Sequence, residues 1–375
     1  MNKNSRSTFH IVKKTNQPLW KMVLYYVIAI LIAMVIGAVL LASMGVDFVE
    51  FYKQMLTMGI PGNKFAYKSV EGLIKVFVPL LITSLALSMA YKMKFWNVGG
   101  EGQFIIGALM AALIAIQGGD SLPTIVILPL MCIAGGLSAG IYGMIPALLK
   151  VRFNTSETLM TLMMNYIALY ILVYFGQNKT SWNFFLRDDS ERPVFRILPE
   201  STFMPGITIG RFTLNISLIL ALLFTAFMIV YLTKTKHGYE VSVVGDSINT
   251  AYYAGMKVKM IIVRTIFFSA FMVGVAGAFH VSTSHALSET ITNDVGWTGV
   301  IVAWLSKLNP VGILITSLLI SILQYGCQVA NTDFANVDTN FADLMQGIIL
   351  FAVLVADFTL RFKLVRIKKT KEDEA

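Results

Sequence analysis

Apolar residues run along this chain in long stretches, with short polar connections between them. A helix needs about 20 apolar residues to cross the ~30 Å hydrocarbon core of a membrane. The pattern therefore predicts an all-α integral membrane protein with about ten transmembrane helices. The predicted crossings cover residues 22–44, 69–90, 97–118, 124–149, 157–175, 212–233, 265–285, 286–307, 310–330 and 341–360.

Two of these crossings differ from the others. The run 22–44 is too long for the core of a signal peptide and lacks a cleavage site of small residues, so we expect it to be retained. The run 286–307 is only half apolar and is interrupted by Gly296 and Gly299. We expect this second run to cross as a discontinuous helix.

A long polar passage, residues 234–264, predicts a short surface helix. Asp246 or Ser247 is suited to cap it, and Gly255 is the residue type that ends a helix in the left-handed conformation. The helix would carry Asp246, Asn249, Tyr252 and Tyr253. We favour docking onto another protein over a solvated loop, because a membrane chain seldom orders so long a connection unless it is used.

Composition excludes a soluble protein with an ordinary charged surface. Of the 375 residues, 56% are hydrophobic and 14% charged, and the mean hydropathy is +0.70. The net charge of +9 is informative once its location is considered. Roughly 21 of the 30 Lys and Arg fall in the N-terminus, the even-numbered turns and the tail, which the positive-inside rule assigns to the cytoplasm. The lipid bilayer, and not nucleic acid, is therefore the expected surrounding.

This charge distribution predicts how the chain is divided. Residues 1–21 form a cytoplasmic segment, 22–360 the transmembrane domain and 361–375 a cytoplasmic tail. Within the domain, 176–211 is an external loop and 234–264 a cytoplasmic one. Crossings two to five and seven to ten then enter from opposite sides, which is compatible with an inverted repeat.

Polar side chains recur on single faces of two predicted crossings. Burial of polar groups in a membrane is expensive and usually has a reason. The two stripes consist of Glu157, Thr161 and Asn165, and of Ser317, Ser321, Gln324 and Gln328. They could line one aqueous path, or form interhelical hydrogen bonds worth about 0.6 kcal/mol each; both interpretations stay open. For Glu101 we favour a structural role in the first turn of a helix capped by Asn97.

The sequence offers no catalytic constellation. His280 and His285 are five residues apart and do not form a metal-binding pair on one helical face, and Cys132 and Cys327 have no metal-ligand spacing. No phosphate-binding loop of the GxxxxGK[ST] type occurs. We therefore expect a protein that is not an enzyme and has no cofactor or metal, so that any ATP is hydrolysed by a partner chain.

Three runs resemble a known family. They are FWNVGGEGQF at 95–104, NTSETLMTLMMNYIA at 154–168 and VGDSINTAYYAGM at 244–256. In this order they resemble the permease subunits of ABC importers for nucleosides and simple sugars, a family that includes the ribose and branched-chain amino acid permeases, and are most similar to its nucleoside branch. The resemblance covers about residues 69–361.

The resemblance implies a fold similar to the cobalamin-importer permeases, a bacterial plasma membrane, and three partners. These are a cytoplasmic ABC ATPase, an external substrate-binding lipoprotein and a second permease subunit, with a heterodimer favoured. The residues expected to couple to the ATPase are Gly245, Asp246, Ser247, Asn249, Tyr252, Ala254 and Gly255. Those expected along the translocation path are Asn97, Glu101, Gln103, Glu157, Thr161, Asn165, Trp297, Gln324 and Gln328.

Alternatives to a nucleoside importer are a simple-sugar permease of the same family and an ion-coupled secondary transporter. The latter would need an ionisable residue deep in the membrane, and the chain offers little beyond Glu101, Glu157 and Asp343 near helix ends. A membrane-embedded enzyme or a scaffold is less favoured, because no cluster of His, Cys or acidic residues is present.

Overall fold

The computed structural model describes residues 8–13, 18–61, 64–334, 337 and 340–367, and in these residues the fold is almost entirely helical. The predicted N-terminal segment and tail thus lie partly outside the described residues. The helices are α1 (Leu19–Ser43), α2 (Phe48–Thr57), α3 (Ala66–Lys92), α4 (Gly100–Gly118), α5 (Thr124–Phe153), α6 (Glu157–Gln177), α7 (Ile216–Lys234), α8 (Lys236–Asp246), α9 (Ile248–Tyr253), α10 (Val258–Ser284), α11 (Val295–Leu305), α12 (Pro310–Asp333) and α13 (Phe341–Arg361).

The predicted all-α membrane fold is confirmed. Among the described residues, nine helices are long and apolar enough to cross a membrane. The remaining predicted crossing, 286–307, contains only α11, which has 11 residues. At 1.5 Å per residue, α11 is about 16 Å long and reaches about half of the ~30 Å hydrocarbon core.

Some predicted boundaries were wrong. The crossing predicted at 212–233 begins at Ile216, because the strands Gly206–Ile209 and Phe212–Asn215 form an antiparallel hairpin before it. Gly210 provides the positive φ of 66° that the tight turn of this hairpin requires. Helices α2 and α8, which lie in passages predicted to be polar connections, were not predicted.

The chain forms two compact units, 1–58 with 326–375, and 59–325. In the first unit, α1 packs against α13, and Tyr26 Oη donates a hydrogen bond of 2.9 Å to Asp357. Strands Thr8–Lys13 and Phe362–Ile367 pair antiparallel, so the segment before α1 and the segment after α13 meet.

In the second unit, α10 is the central helix and packs against α3, α4 and α5. Glycines allow the backbones of α4, α5 and α10 to touch. A Cβ at Gly274 would collide with the carbonyl oxygen of Gly135, and a Cβ at Gly107 with the backbone of Gly274. Small residues at such crossings permit close van der Waals packing between helices in lipid, where no hydrophobic effect draws them together.

Gly274→Ala is therefore expected to destabilise the protein by about 1–3 kcal/mol, because the added methyl group forces backbone atoms apart. The measurement is the thermal unfolding midpoint of the purified protein in detergent. Gly347→Ala is the matched control, since a Cβ at this exposed position of α13 meets no atom within 4 Å. Equal midpoints for both variants would contradict the close packing described.

Candidate functional site

Helix α8 is packed tightly against the ends of two long helices. A Cβ at Gly238 would collide with the carbonyl oxygen of Tyr231 in α7, and one at Gly245 with that of Lys92 at the end of α3. Val241 and Val244 on the same helix are buried in an apolar cluster with Ala90 and Met93. No gap is left between α8 and these two helices at either glycine.

An ion pair ties α8 to a third long helix, α10. Arg264 Nη2 lies 2.7 Å from Glu240 Oε2, and the carboxylate side chain is only 14% exposed. The hydrogen bond from the Arg264 guanidinium holds the pKa of Glu240 below its usual range against the opposing effect of burial. Glu240 is thus ionised at neutral pH, and α8 is fastened to α3, α7 and α10 together.

The predicted surface helix is confirmed as α9. The Ser247 hydroxyl accepts a hydrogen bond of 3.3 Å from the Thr250 N–H, so Ser247 and not Asp246 is the cap. Gly255 has a φ of 73°, and the following Met256 N–H closes the turn onto the Ala251 carbonyl at 3.0 Å.

The polar passage presents its side chains unevenly. Ala251 is buried against the cluster below, whereas Tyr252 is 53% and Tyr253 93% exposed. The other predicted coupling residues that are exposed are Asp246, Asn249, Ala254 and Gly255. Gly245 is buried. Helix α9 is therefore anchored on one side and displays two tyrosines on the other.

The polar stripe on α6 is engaged in hydrogen bonds at the start of α4. The Asn165 side chain accepts from the Gly102 N–H at 2.9 Å and donates to the Val98 carbonyl at 2.9 Å. The Thr161 hydroxyl accepts from the Val98 N–H at 3.2 Å. The sequence allowed two interpretations of this stripe, an aqueous path or interhelical hydrogen bonds, and these contacts are hydrogen bonds of the second kind. Glu157, at the end of the stripe, pairs with Lys150 at 2.8 Å.

The expected capping of α4 by Asn97 was wrong in detail. The N-cap residue is Gly99, and Asn97 accepts a hydrogen bond of 3.1 Å from the Gly99 N–H just before the helix. Asn97 is also hydrogen-bonded to Gln103 at 3.2 Å, and both side chains are buried. The Gly102 N–H in the first turn has no partner within its own helix and donates to the Asn165 side chain of α6. Local sequence does not indicate this partner, because it belongs to another helix.

Glu101 caps a helix other than its own. Its carboxylate accepts a hydrogen bond of 2.7 Å from the Gly296 N–H. The carboxylate thus binds an N–H group at the start of α11, where a helix favours negative charge. The structural role expected for Glu101 agrees with this contact, although the helix that it caps was not predicted.

The polar stripe on α12 is divided. Gln324 is buried and donates a hydrogen bond of 3.4 Å to the Thr298 hydroxyl of α11. Ser317 and Ser321 are fully buried. Gln328 is exposed and belongs to the other compact unit.

Two features of the site were missed by sequence reasoning. The Glu240–Arg264 pair joins residues 24 positions apart, and no local spacing indicates it. The stacking of Trp96 on Trp304, with ring centroids 5.0 Å apart, joins two more distant segments. For the tryptophan pair, the local sequence shows only that each tryptophan lies close to a lysine in the connection between two spans.

The sequence profile of the family described as "Branched-chain amino acid transport system / permease component" matches residues 69–354. The match covers both the start of α4 and the whole α8–α9 passage. The chain therefore belongs to this family of transport permeases, and the resemblance identified from three short runs is confirmed. With its nine candidate spans, it is a multi-pass membrane protein.

Similar curated proteins span nearly the whole chain. The nucleoside ABC transporter permease protein NupB of Lactococcus lactis is 27% identical over 94% of this chain and 96% of its own length. The guanosine ABC transporter permease protein NupP of Bacillus subtilis is 28% identical over 91% and 95%. A glucose ABC transporter permease protein of Haloferax volcanii is 24% identical over 90% and 88%. No solved structure matches the chain.

Glu101→Gln is expected to lower the stability of the protein by about 1 kcal/mol, because the amide oxygen is a weaker acceptor for the Gly296 N–H than the carboxylate. The thermal unfolding midpoint in detergent measures the loss. Glu50→Gln is the matched control, since Glu50 pairs with Lys53 at the surface and is expected to contribute under about 0.5 kcal/mol. An unchanged midpoint for Glu101→Gln would contradict the capping role.

Proposed function

We propose that this chain is a membrane-spanning permease subunit of an ATP-driven ABC importer for nucleosides. The family match supports the transport role, and two relatives named for nucleoside or guanosine transport support the substrate class. The observation that carries the proposal is the α8–α9 passage, in which an exposed helix sits on a base fastened to three long helices.

In this proposal, α9 is the contact for a cytoplasmic ABC ATPase. The exposed residues Asn249, Tyr252 and Tyr253 form the docking surface, and tyrosine is a residue type that often dominates binding energy at interfaces. Movement of the ATPase is passed from α9 to α8, and from α8 to α3, α7 and α10 through the two glycine contacts and the Glu240–Arg264 pair.

The proposed topology places both termini and the α8–α9 passage in the cytoplasm, as the distribution of Lys and Arg favours. An external binding protein supplies the solute, and a second permease subunit, different from this chain, completes the pathway. The solute passes along helices α4, α6, α11 and α12. These helices carry most of the predicted path residues. A path of this kind should bind its solute weakly, so that release is not blocked.

A simple sugar is the second candidate substrate, favoured by one observation, the similarity to a glucose ABC permease. The identity and the coverage of this glucose permease are both lower than those of the nucleoside and guanosine permeases. An ion-coupled transporter would take its energy from an ion gradient and not from ATP.

The double variant Asn249→Ala/Tyr252→Ala is expected to reduce both uptake and stimulation of the ATPase by at least about tenfold, because it removes two side chains from the docking surface. Both are measured with the complete transporter in proteoliposomes. Tyr170→Ala is the control, since Tyr170 is a similarly exposed tyrosine in the span Glu157–Gln177, away from the passage. Unchanged coupling in the double variant would refute docking at α9.

The energy source separates the proposal from an ion-coupled transporter. Uptake of labelled guanosine by cells expressing the complete transporter is expected to stop when ATP is depleted and to persist after a proton uncoupler. The expected reason is that the buried Glu101 carboxylate of the predicted path is already bound by the Gly296 N–H, so that it is not available to carry a coupling ion. The opposite pattern, with uptake lost to the uncoupler while ATP remains high, would overturn the ATP-driven assignment.

A further inference from the structure

One side of α11 carries two half-exposed tryptophans, and the rest of the helix is mostly buried. Trp297 and Trp304 are seven residues apart and therefore lie on the same side of the helix, two turns from each other. Their side chains are 37% and 41% exposed. The buried residues of α11 are Val295, Gly296, Thr298, Gly299, Val302 and Ala303. Because these residues pack α11 against its neighbours, the two indoles face outward.

A third indole extends this row. Trp96 is 47% exposed and lies nearly parallel to Trp304, with an interplanar angle of 13° and ring centroids 5.0 Å apart. The buried ring of Tyr91 supports both indoles from behind, at 6.2 and 5.6 Å. The Tyr91 hydroxyl donates a hydrogen bond of 2.7 Å to the Asn97 carbonyl, which holds that ring in place. We call Trp297, Trp304 and Trp96 the indole stripe.

The indole stripe reaches from one membrane surface towards the middle of the bilayer. Trp304 lies near the end of α3, the same end that Gly245 of α8 touches. Gly299, towards the other end of α11, packs against Thr83 of α3, nine residues before the end of that span. At 1.5 Å per residue, this part of α11, with Trp297, therefore lies about 13 Å from that end, well inside the ~30 Å core. Tryptophans of aromatic belts sit at the membrane–water interfaces, so a belt accounts for Trp96 and Trp304 but not for Trp297.

We propose that the indole stripe stacks the heteroaromatic base of the transported nucleoside, an inference that rests on the proposed function and adds to it the groups that select the solute. Trp297 is the contact in mid-membrane, and the Trp96–Trp304 pair is the contact at the α8 side. Stacking between a base and an aromatic ring strengthens binding by about tenfold and tolerates any base. This is enough to favour a nucleoside over a sugar, which has no π-face, and weak enough to permit release.

Glu101 is a positioning residue for this stripe. Its carboxylate binds the backbone N–H of Gly296, the residue next to Trp297, so it holds the start of α11 and the backbone that carries the first indole. Glu101 itself is buried behind the stripe and does not need to touch the solute.

The test uses the complete transporter, purified with all its subunits and reconstituted in proteoliposomes, with adenosine and ribose as probes. Trp297→Leu is expected to raise the KM for adenosine about tenfold with little change in kcat, whereas Trp297→Phe, which keeps an aromatic ring, changes it about twofold or less. Trp20→Leu is the matched control, since Trp20 is an exposed tryptophan of the other compact unit. A KM for adenosine that is unchanged in Trp297→Leu would overturn the inference and leave the proposed function intact.

The remaining outcomes are also decisive. Uptake of ribose without adenosine by the unaltered transporter would refute the nucleoside assignment itself. Loss of the second permease subunit from purified Trp297→Leu would show that the stripe is a subunit interface and not a solute contact. A second readout needs no transport: in Trp20→Phe/Trp182→Phe, which keeps only the three stripe indoles of the five tryptophans, adenosine and not ribose is expected to quench the fluorescence. Absence of quenching by adenosine would contradict stacking.

Discussion

The structure depends on how the N–H groups at the ends of helices are bound inside a membrane. Lipid offers no hydrogen-bond acceptors, so the start of any helix within the hydrocarbon region must be satisfied by protein. Helix α11 begins there, and the Glu101 carboxylate from α4 accepts a hydrogen bond from the Gly296 N–H in its first turn. The start of α4 is in turn bound by Asn165 from α6. These two side chains connect three helices, and the first of them stabilises a helix that begins inside the membrane.

This constraint changes the meaning of polar residues in the sequence. Thr161, Asn165 and Glu101 have the spacing and burial of path-lining groups, yet their hydrogen-bonding atoms are used between helices. The large side chains that are exposed on and beside α11 are instead the aromatic ones of Trp96, Trp297 and Trp304. A polar residue in a predicted span therefore indicates that a backbone group somewhere needs a partner, and solute contact has to be argued from exposure.

The fold class and the positions of most helices could be predicted from the sequence, because long apolar runs have few other uses. The helix α9 could also be predicted, since a cap at Ser247 and a glycine at Gly255 are local features. The partners of Glu101 and Glu240 could not be predicted, because each bond joins segments whose proximity is set by tertiary packing. Helix α8 was missed because its apolar residues Val241 and Val244 are too few to suggest burial without the helices that cover them.

The length of α10 has a mechanical consequence. This helix runs unbroken for 27 residues, so it extends about 40 Å, and Arg264, its contact with α8, is close to one end. A rigid rod held near one end amplifies small rotations. Ser284 lies 20 residues, or about 30 Å, from Arg264, so a turn of about 10° at Arg264 would carry the Ser284 end sideways by about 5 Å. A small rotation of α10 that begins at its contact with α8 would therefore produce a larger movement at the opposite end of the helix.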